Sequence, residues 1–434
     1  MKEKGGRQRR KVGPGKRYII DVRRGIILMA VCMGCSPDRH EETDTENRES
    51  GGSEQRETAE ESEELAEGYR EIYEQAAEQG LLDSSDLKQD IIEYLGGMGY
   101  AAVDAENQIN MANYRQVEEF CVKAGEGENT ATTIFAVLDK GGFVRYDMEA
   151  ENGGIHVTAS TLQWEENRPR VCWHHEFEAC SWKYTEKGYL FIEEYHPQGF
   201  DGPPGETAFR VKPLDQKCRE FSRKYVYPIG YTRNNMLITD WNEQDYSELE
   251  LYDLYEIFYY LKYGEYVLYE AYEGAEYEIP AGEFEEIIQE HFHITREQIA
   301  ANTIYYPDRD TYRYRPRWLH DSEEPYEPYA EVVDFREQDD GTVRLWVEAV
   351  WEEKMTDRAV TSELVVRPLE NGGFIYVSNQ VISWDESLES CWYSPRLTDE
   401  EWENGIEKRN TDSIVYSETA VCNIIMERYG GTEQ

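Results

Sequence analysis

The sequence predicts an α+β protein made of two related modules, each with helices packed on an antiparallel sheet. Helix signals precede strand signals in each half of the chain, and a pattern of about twenty residues occurs once in each half. Roughly 370 residues follow the acidic N-terminal stretch, more than one hydrophobic core usually spans, which favours two modules.

The repeated pattern is a turn followed by an extended run and spaced tryptophans. The first copy contains Glu151-Asn152-Gly153-Gly154, Trp164 and Cys172-Trp173, and the second contains Glu370-Asn371-Gly372-Gly373, Trp384 and Cys391-Trp392. The intervals between these landmarks agree to within one residue. The repetition indicates a duplicated unit.

The first module begins with helices. Asp86 and Gln89 resemble a capping box that opens a helix ending at Gly96-Gly97. A second helix is predicted at 114–122 and a third at 215–225. Extended runs between them predict strands at 132–138, 143–148, 155–164, 189–195 and 207–211.

The second module repeats this order. Apolar residues on one face predict a helix over 249–261, and a shorter one contains Phe284. Thr295 and Gln298 form a capping box for the next helix, and Thr398 with Glu401 for the last. The strands are predicted at 329–336, 343–351, 363–367 and 374–383, and the tight turns between them favour antiparallel pairing. By element order alone, the body resembles nuclear-transport-factor-like or cystatin-like domains.

The N-terminus has the layout of an export signal. Ten Lys and Arg residues lie within residues 1–24, an apolar run follows at 26–34, and Gly34 precedes Cys35. The run is about half the roughly 20 residues that a membrane-spanning helix needs. Gly34-Cys35 resembles a bacterial lipobox, although Cys32 replaces the usual Leu. The resemblance implies lipidation of Cys35, cleavage before it and tethering outside the cell membrane, whereas a plain secretory signal or an uncleaved anchor remains an alternative.

Residues 36–64 are rich in Glu, Asp, Ser, Thr and Gly and contain almost no apolar side chain, so they are predicted to be a disordered linker. The predicted boundaries are therefore 1–34 for the signal peptide, 35–64 for the lipidated cysteine and linker, 65–235 and 236–395 for the modules, and 396–434 for a helical or extended extension.

The charge limits the possible partners. The full chain carries a formal charge of −44, and without residues 1–34 it has 87 acidic and 35 basic residues, a charge near −52. Nucleic acid is excluded as a partner because Lys and Arg must neutralise its phosphates.

As a whole, the chain resembles uncharacterised surface lipoproteins of anaerobic Gram-positive bacteria. The resemblance implies a cellular location but no activity.

Six cysteines remain in the body, and an exported location would permit one or two disulfides without specifying their pairing. They are Cys121, Cys172, Cys180, Cys218, Cys391 and Cys422. None has the spacing of a zinc site. His174 and His175 would point to opposite faces of a strand and would not bind one metal ion together. No metal site and no cofactor is predicted.

Candidate ligand-binding residues are aromatic. Trp164, Trp173, Trp384 and Trp392 either pack in the core or line two grooves. Tyrosines cluster further along the chain and form either a half-exposed helical layer or a recognition surface. They are Tyr252, Tyr255, Tyr259, Tyr260, Tyr263, Tyr266, Tyr269 and Tyr272.

No catalytic residue can be assigned, because the chain lacks the common phosphate, nucleotide, hydrolase and metalloprotease motifs. The expected function is a tethered module that binds a cell-wall polymer, a peptide or a membrane protein. The alternatives are an envelope hydrolase acting on wall glycan or peptide, and an accessory subunit of a transporter or signalling system.

Overall fold

The computed structural model describes residues 47–197, 200, 204–272, 274–317, 327–385, 387–388 and 392–402, with side chains from residue 55 onward. These residues belong to one compact unit, Arg39–Gln434. The mixture of helices and mostly antiparallel sheets confirms the α+β class. Cys35, Cys391 and Cys422 lie outside the described residues.

Eight α-helices are assigned within these residues. They are α1 Asn47–Gly68, α2 Arg70–Gln79, α3 Ser85–Gly97, α4 Tyr114–Gly125, α5 Gln216–Phe221, α6 Leu251–Tyr263, α7 Ala281–Gln289 and α8 Arg296–Ala301. A π-helical turn, Ser222–Val226, continues α5.

Strands of the first sheet are β1 Ala101–Asp104, β2 Thr130–Val137, β3 Phe143–Glu151, β4 Gly154–Glu165, β5 Arg168–Tyr184, β6 Tyr189–Glu194 and β7 Glu206–Arg210. They pair in sequence order, with β1 parallel to β2 and the other pairs antiparallel. The long strand β5 pairs with β4 as far as Glu178 and with β6 from Ala179, and a bulge at Cys180 separates the two parts. Bulges bend strands, so β5 turns the sheet back on itself.

Alternation along the strands gives this sheet two buried faces. On β2, Phe135 and Val137 pack with α1 and α3, whereas Ile134 and Ala136 pack with α4. Residues of β6 and β7, including Leu190 and Phe209, join the α4 side. The face that carries α4 is therefore enclosed by the curled sheet.

The remaining strands are β8 Trp241–Asn242, β9 Tyr277–Pro280, β10 Tyr305–Tyr306, β11 Thr311–Tyr314, β12 Tyr329–Glu337, β13 Val343–Val350, β14 Val360–Pro368 and β15 Phe374–Trp384. They form a five-stranded sheet in the order β12-β13-β14-β15-β8 and a three-stranded sheet in the order β10-β11-β9. Their core extends from Cys218 to Tyr393 and includes the apolar faces of α6 and α7.

A buried ionic cluster joins the two halves of the chain, the first containing the seven-stranded sheet (101–210) and the second containing the other two sheets (241–384). Glu331 on β12 is 1% exposed. It accepts hydrogen bonds from Arg219 at 3.2 Å and from Tyr189 of β6 at 3.1 Å, and it lies 3.4 Å from a nitrogen of Arg210 on β7. Because the buried charges are paired across the junction, this cluster connects the two sheets energetically.

The predicted disorder of the linker is wrong for residues 47–64, which belong to α1. Three buried residues at its C-terminal end, Ser62, Leu65 and Ala66, pack on the body. Glu61 accepts a hydrogen bond from Arg145 of β3 at 2.8 Å. A few such contacts order a helix whose composition is otherwise that of a disordered chain.

Two smaller expectations also differ from the structure. Helix α3 is capped by Ser84, whose hydroxyl accepts from the Leu87 amide at 3.2 Å, and not by Asp86 with Gln89. Strand β5 was not predicted. Both parts of the predicted Thr295–Gln298 capping box are present.

Candidate binding surface

Trp164 lies at the end of β4 and is a packing residue. Its indole stacks on Tyr73 of α2 with ring centroids 4.0 Å apart and planes at 6°. Its Nε1 donates to the Gly141 carbonyl at 3.0 Å, which also accepts from the Tyr69 hydroxyl at 2.9 Å. These contacts hold α1 and α2 against the turn between β2 and β3.

The tryptophans of the second copy are also packed. Trp392 is 1% exposed, and its ring centroid lies 5.9 Å from that of Trp384 and 5.0 Å from that of Trp351. The structure therefore does not bring the four candidate tryptophans together, and neither Trp384 nor Trp392 forms an open groove.

Trp173 is different because half of its surface is exposed (50%). It lies on β5 at the start of a row of rings, Trp173, His175 and Phe177, which alternate on one face of the strand. The Trp173–His175 and His175–Phe177 centroids are 5.2 Å and 5.6 Å apart, and both pairs are stacked. We call these three residues the ring row.

Polar groups border the ring row on β6 and just beyond it. Nε2 of His175 lies 2.7 Å from Oε1 of Glu194, and Nε2 of His196 lies 3.8 Å from Oε2 of the same carboxylate. The ring of Phe200 lies 4.0 Å from that of His196, and Phe200 is exposed. A carboxylate between two imidazoles can accept hydrogen bonds from hydroxyl or ammonium groups.

A buried hydroxyl lies next to the exposed indole. Thr161 of β4 is directly opposite Trp173 in the ladder, so their side chains share a face. Thr161 is 3% exposed, and its Oγ1 has no hydrogen-bond partner among the residues that the structure describes. Buried polar groups normally have a partner, so this hydroxyl could serve a bound molecule or a water.

The opposite face of β5 is covered. His174 lies there, 3.0 Å from Glu176, and Glu176 also accepts from Gln55 of α1 at 3.3 Å. His174 and its neighbour His175 thus have partners on opposite sides of the strand, as expected from the sequence. The ring row lies on the side of β5 away from α1, where Phe177 packs against the core that includes α4 and Trp173 is exposed.

Two carboxyls have strongly raised pKa values. Burial raises the pKa of Glu352 to about 7, and the nearby carboxylate of Glu206 adds to the effect. Burial, followed by the charge of Asp253, raises the pKa of Glu250 to about 7. Neither group belongs to the ring row.

Four of the six cysteines of the body are described. The thiols of Cys121 and Cys218 are free and buried, and burial raises their pKa values to about 12 and about 11. Cys180, at the bulge of β5, is free and exposed. No disulfide therefore joins these three residues.

Within the described ranges, no group of three or more His, Cys, Asp or Glu side chains is arranged to bind a metal ion. In the same part of the chain, no helix combines the length and apolarity required to cross a bilayer.

One family model matches residues 55–396, from α1 to Arg396, and it is described as a family of unknown function, DUF6070. The chain belongs to DUF6070. The match covers all three sheets described above as well as the ring row. No curated protein and no solved structure matches the chain.

Proposed function

We propose that this DUF6070 chain is a membrane-tethered, extracytoplasmic module that binds a cell-wall saccharide without turning it over. The ring row is the observation that carries the proposal. It combines an indole that is 50% exposed, rings stacked in a row beside it and a carboxylate next to the middle ring.

The chemistry of the ring row suits a sugar. A pyranose has a face of C–H groups that can pack on an indole, and a rim of hydroxyls that need hydrogen-bond partners. One face of Trp173 is occupied by His175, and the exposed remainder of the indole can accept the apolar face. Glu194 and the imidazoles of His175 and His196 can pair with the hydroxyls.

A rigid surface also favours binding. Rings that stack on one another along a strand have few alternative rotamers, so a ligand need not order them. The His175–Glu194 contact fixes the middle ring from the side.

Binding can be tested by sedimenting the full chain with purified cell-wall sacculi. We expect saturable binding and a loss of about fivefold or more in affinity for Trp173→Ala, since one stacked aromatic group contributes about 1 kcal/mol. Tyr195→Ala is the matched control because Tyr195 is an exposed aromatic residue (71%) beside β6. Absence of wild-type binding, or equal losses for the two variants, would contradict the proposal.

The location rests on the basic N-terminal stretch, the short apolar run and Gly34-Cys35. Intact mass measurement on the membrane fraction of a bacterial host should give a chain that begins at Cys35 and carries a diacylglyceryl group. Cys35→Ala should abolish that mass. A full-length, unmodified chain would contradict the tether while leaving saccharide binding open to its own test.

The two modules are proposed to have arisen by duplication. Both Glu-Asn-Gly-Gly turns connect neighbouring antiparallel strands, β3 to β4 and β14 to β15. Both following strands end at a tryptophan or one residue beyond it, since β4 ends at Glu165 and β15 at Trp384.

An envelope hydrolase is the second candidate. It is favoured by Glu352, because a carboxyl with a pKa near 7 can donate a proton at neutral pH. Release of soluble fragments from sacculi, abolished by Glu352→Gln and unaffected by Glu370→Gln, would favour the hydrolase over binding alone.

A further inference from the structure

The segment after α6, residues 264–276, carries a second exposed aromatic surface. Four large side chains in and beside it are more than half exposed: Tyr263 (51%), Tyr266 (53%), Leu268 (80%) and Tyr272 (51%). We call these four residues the tyrosine patch. Exposed apolar side chains grouped in this way mark interaction sites on soluble proteins.

Buried anchors hold the segment in place. Val267 and Tyr269 alternate with the exposed residues and pack against the core of the second half. The Tyr269 ring centroid lies 5.1 Å from that of Tyr277 and 5.4 Å from that of Tyr314. The Tyr277 hydroxyl donates to the Glu270 carbonyl at 2.9 Å, so Leu268 and its neighbours point outward from an anchored backbone.

The charged residues within the segment are all acidic. Lys262 is the only Lys or Arg between residues 234 and 295, and it is already paired with Glu286 at 2.7 Å and Glu290 at 3.0 Å. Glu265 and Glu270 lie within the segment and are exposed, whereas Glu276 is paired with Arg315 at 3.0 Å. A partner that covers the tyrosines must therefore meet carboxylates at the rim.

We propose that the tyrosine patch binds a basic, amphipathic polypeptide segment of a partner protein. Apolar side chains of the segment cover Leu268 and the tyrosine rings, while its Lys or Arg groups meet the rim carboxylates and the ring faces by charge and cation–π contacts. The negative charge of the chain speeds the encounter. This interaction is independent of the saccharide site on β5.

The experiment must separate this patch from the general attraction of an acidic protein for polycations. Two synthetic peptides of equal length and charge serve as probes, one alternating Lys and Leu and the other Lys and Ser. We expect the full chain to bind the Lys/Leu peptide at least tenfold more tightly than the Lys/Ser peptide, measured by fluorescence anisotropy at physiological salt.

Three neutral substitutions then locate the site. Tyr266→Ser, Leu268→Ser and Tyr272→Ser together should weaken Lys/Leu binding about tenfold and leave Lys/Ser binding unchanged. The matched control combines Leu81→Ser, Met98→Ser and Val122→Ser, three exposed apolar residues of the first half (45%, 57% and 51%). Because all six side chains are exposed, both variants should keep the wild-type melting temperature.

Equal affinity for the two peptides would overturn the proposal, as would equal losses in the two triple variants. Trp173→Ala should leave peptide binding intact. Failure of sacculus binding would therefore contradict saccharide binding at the ring row but not peptide binding at the tyrosine patch. Failure of peptide binding would contradict only the proposal for the tyrosine patch.

Discussion

Asp253 of α6 is a fully buried carboxylate (0% exposed) at the centre of an ionic cluster. It accepts from Nε and Nη2 of Arg317 at 2.9 and 2.7 Å, from Nε of Arg396 at 2.7 Å and from the Tyr393 hydroxyl at 3.0 Å. The two guanidinium groups hold the pKa of Asp253 below its usual value, against the opposing effect of burial. This arrangement fixes the end of the described chain, 392–402, on α6.

Asp253→Asn should lower the free energy of unfolding by about 3–5 kcal/mol, because Arg317 and Arg396 both lose a fully buried charged partner, although Arg396 keeps its pair with Glu256. Urea titration followed by circular dichroism measures the loss. The exposed Asp308→Asn serves as the control. Equal stability of the two variants would mean that the cluster is not a major source of stability.

Glu352 makes stability depend on pH in the opposite sense from a salt-bridged carboxylate. Its pKa rises to about 7 in the folded chain, so the folded state binds more protons than the unfolded state above the usual carboxyl range. Stability should therefore fall as the pH rises from about 4.5 through 7. Glu352→Gln should remove this loss. The difference in free energy of unfolding between Glu352→Gln and the wild type should be about 2 kcal/mol more favourable to the variant at pH 8 than at pH 5. This value is smaller than the full pKa shift implies because Glu352 is partly exposed.

Melting temperatures of both proteins at pH 5 and pH 8 test this expectation. Glu370→Gln, an exposed neutralisation, corrects for the general relief of negative charge. The idea fails if Glu352→Gln and Glu370→Gln show the same pH profile.

At the scale of single elements, α1 depends on a small buried stripe. Leu65 is 8% exposed and packs with Ile91 and Leu162 in the core beneath the helix. Leu65→Ala should cost about 2–3 kcal/mol, since it leaves a cavity against the sheet. Thermal unfolding compared with Glu64→Ala, an exposed neighbour, measures this contribution, and matching melting temperatures would show that α1 adds little.

Strong apolar periodicity made most elements predictable from sequence. Strands β2, β4 and β13 begin and end within two residues of their predicted limits because each carries a continuous buried face. Strand β5 lacks such a face: it contains Pro169, two histidines and several carboxylates, and both of its faces are largely exposed or half-buried. Its order comes from pairing with β4 and β6, which composition does not reveal.

The candidate site was only partly predictable for the same reason. Trp173 was one of four tryptophans selected by the repeated pattern, and exposure distinguishes it from the other three only once neighbouring elements are placed. His175, Phe177, Glu194 and His196 were missed. The alternation of Trp173, His175 and Phe177 would have indicated the ring row if β5 had been recognised as a strand.

For the whole molecule, Glu331 should control whether the two halves unfold together. We expect one calorimetric transition for the native chain and two resolved or broadened transitions for Glu331→Gln, which leaves Arg210 and Arg219 buried without their shared carboxylate. Glu337→Gln is the control because Glu337 also lies on β12 but forms an exposed pair with Lys217. A single sharp transition in both variants would show that apolar contacts alone couple the halves.

The bend in β5 has a consequence for amide exchange. Cys180 occupies the bulge, and no partner stands opposite it between the pairs Ala179–Glu194 and Ser181–Glu193. Its amide should exchange with deuterium faster than the amides paired with β4 before it and with β6 after it. Among the amides of β5 that point toward β4 or β6, protection should therefore be interrupted at the bulge, which would locate the corner of the sheet in solution.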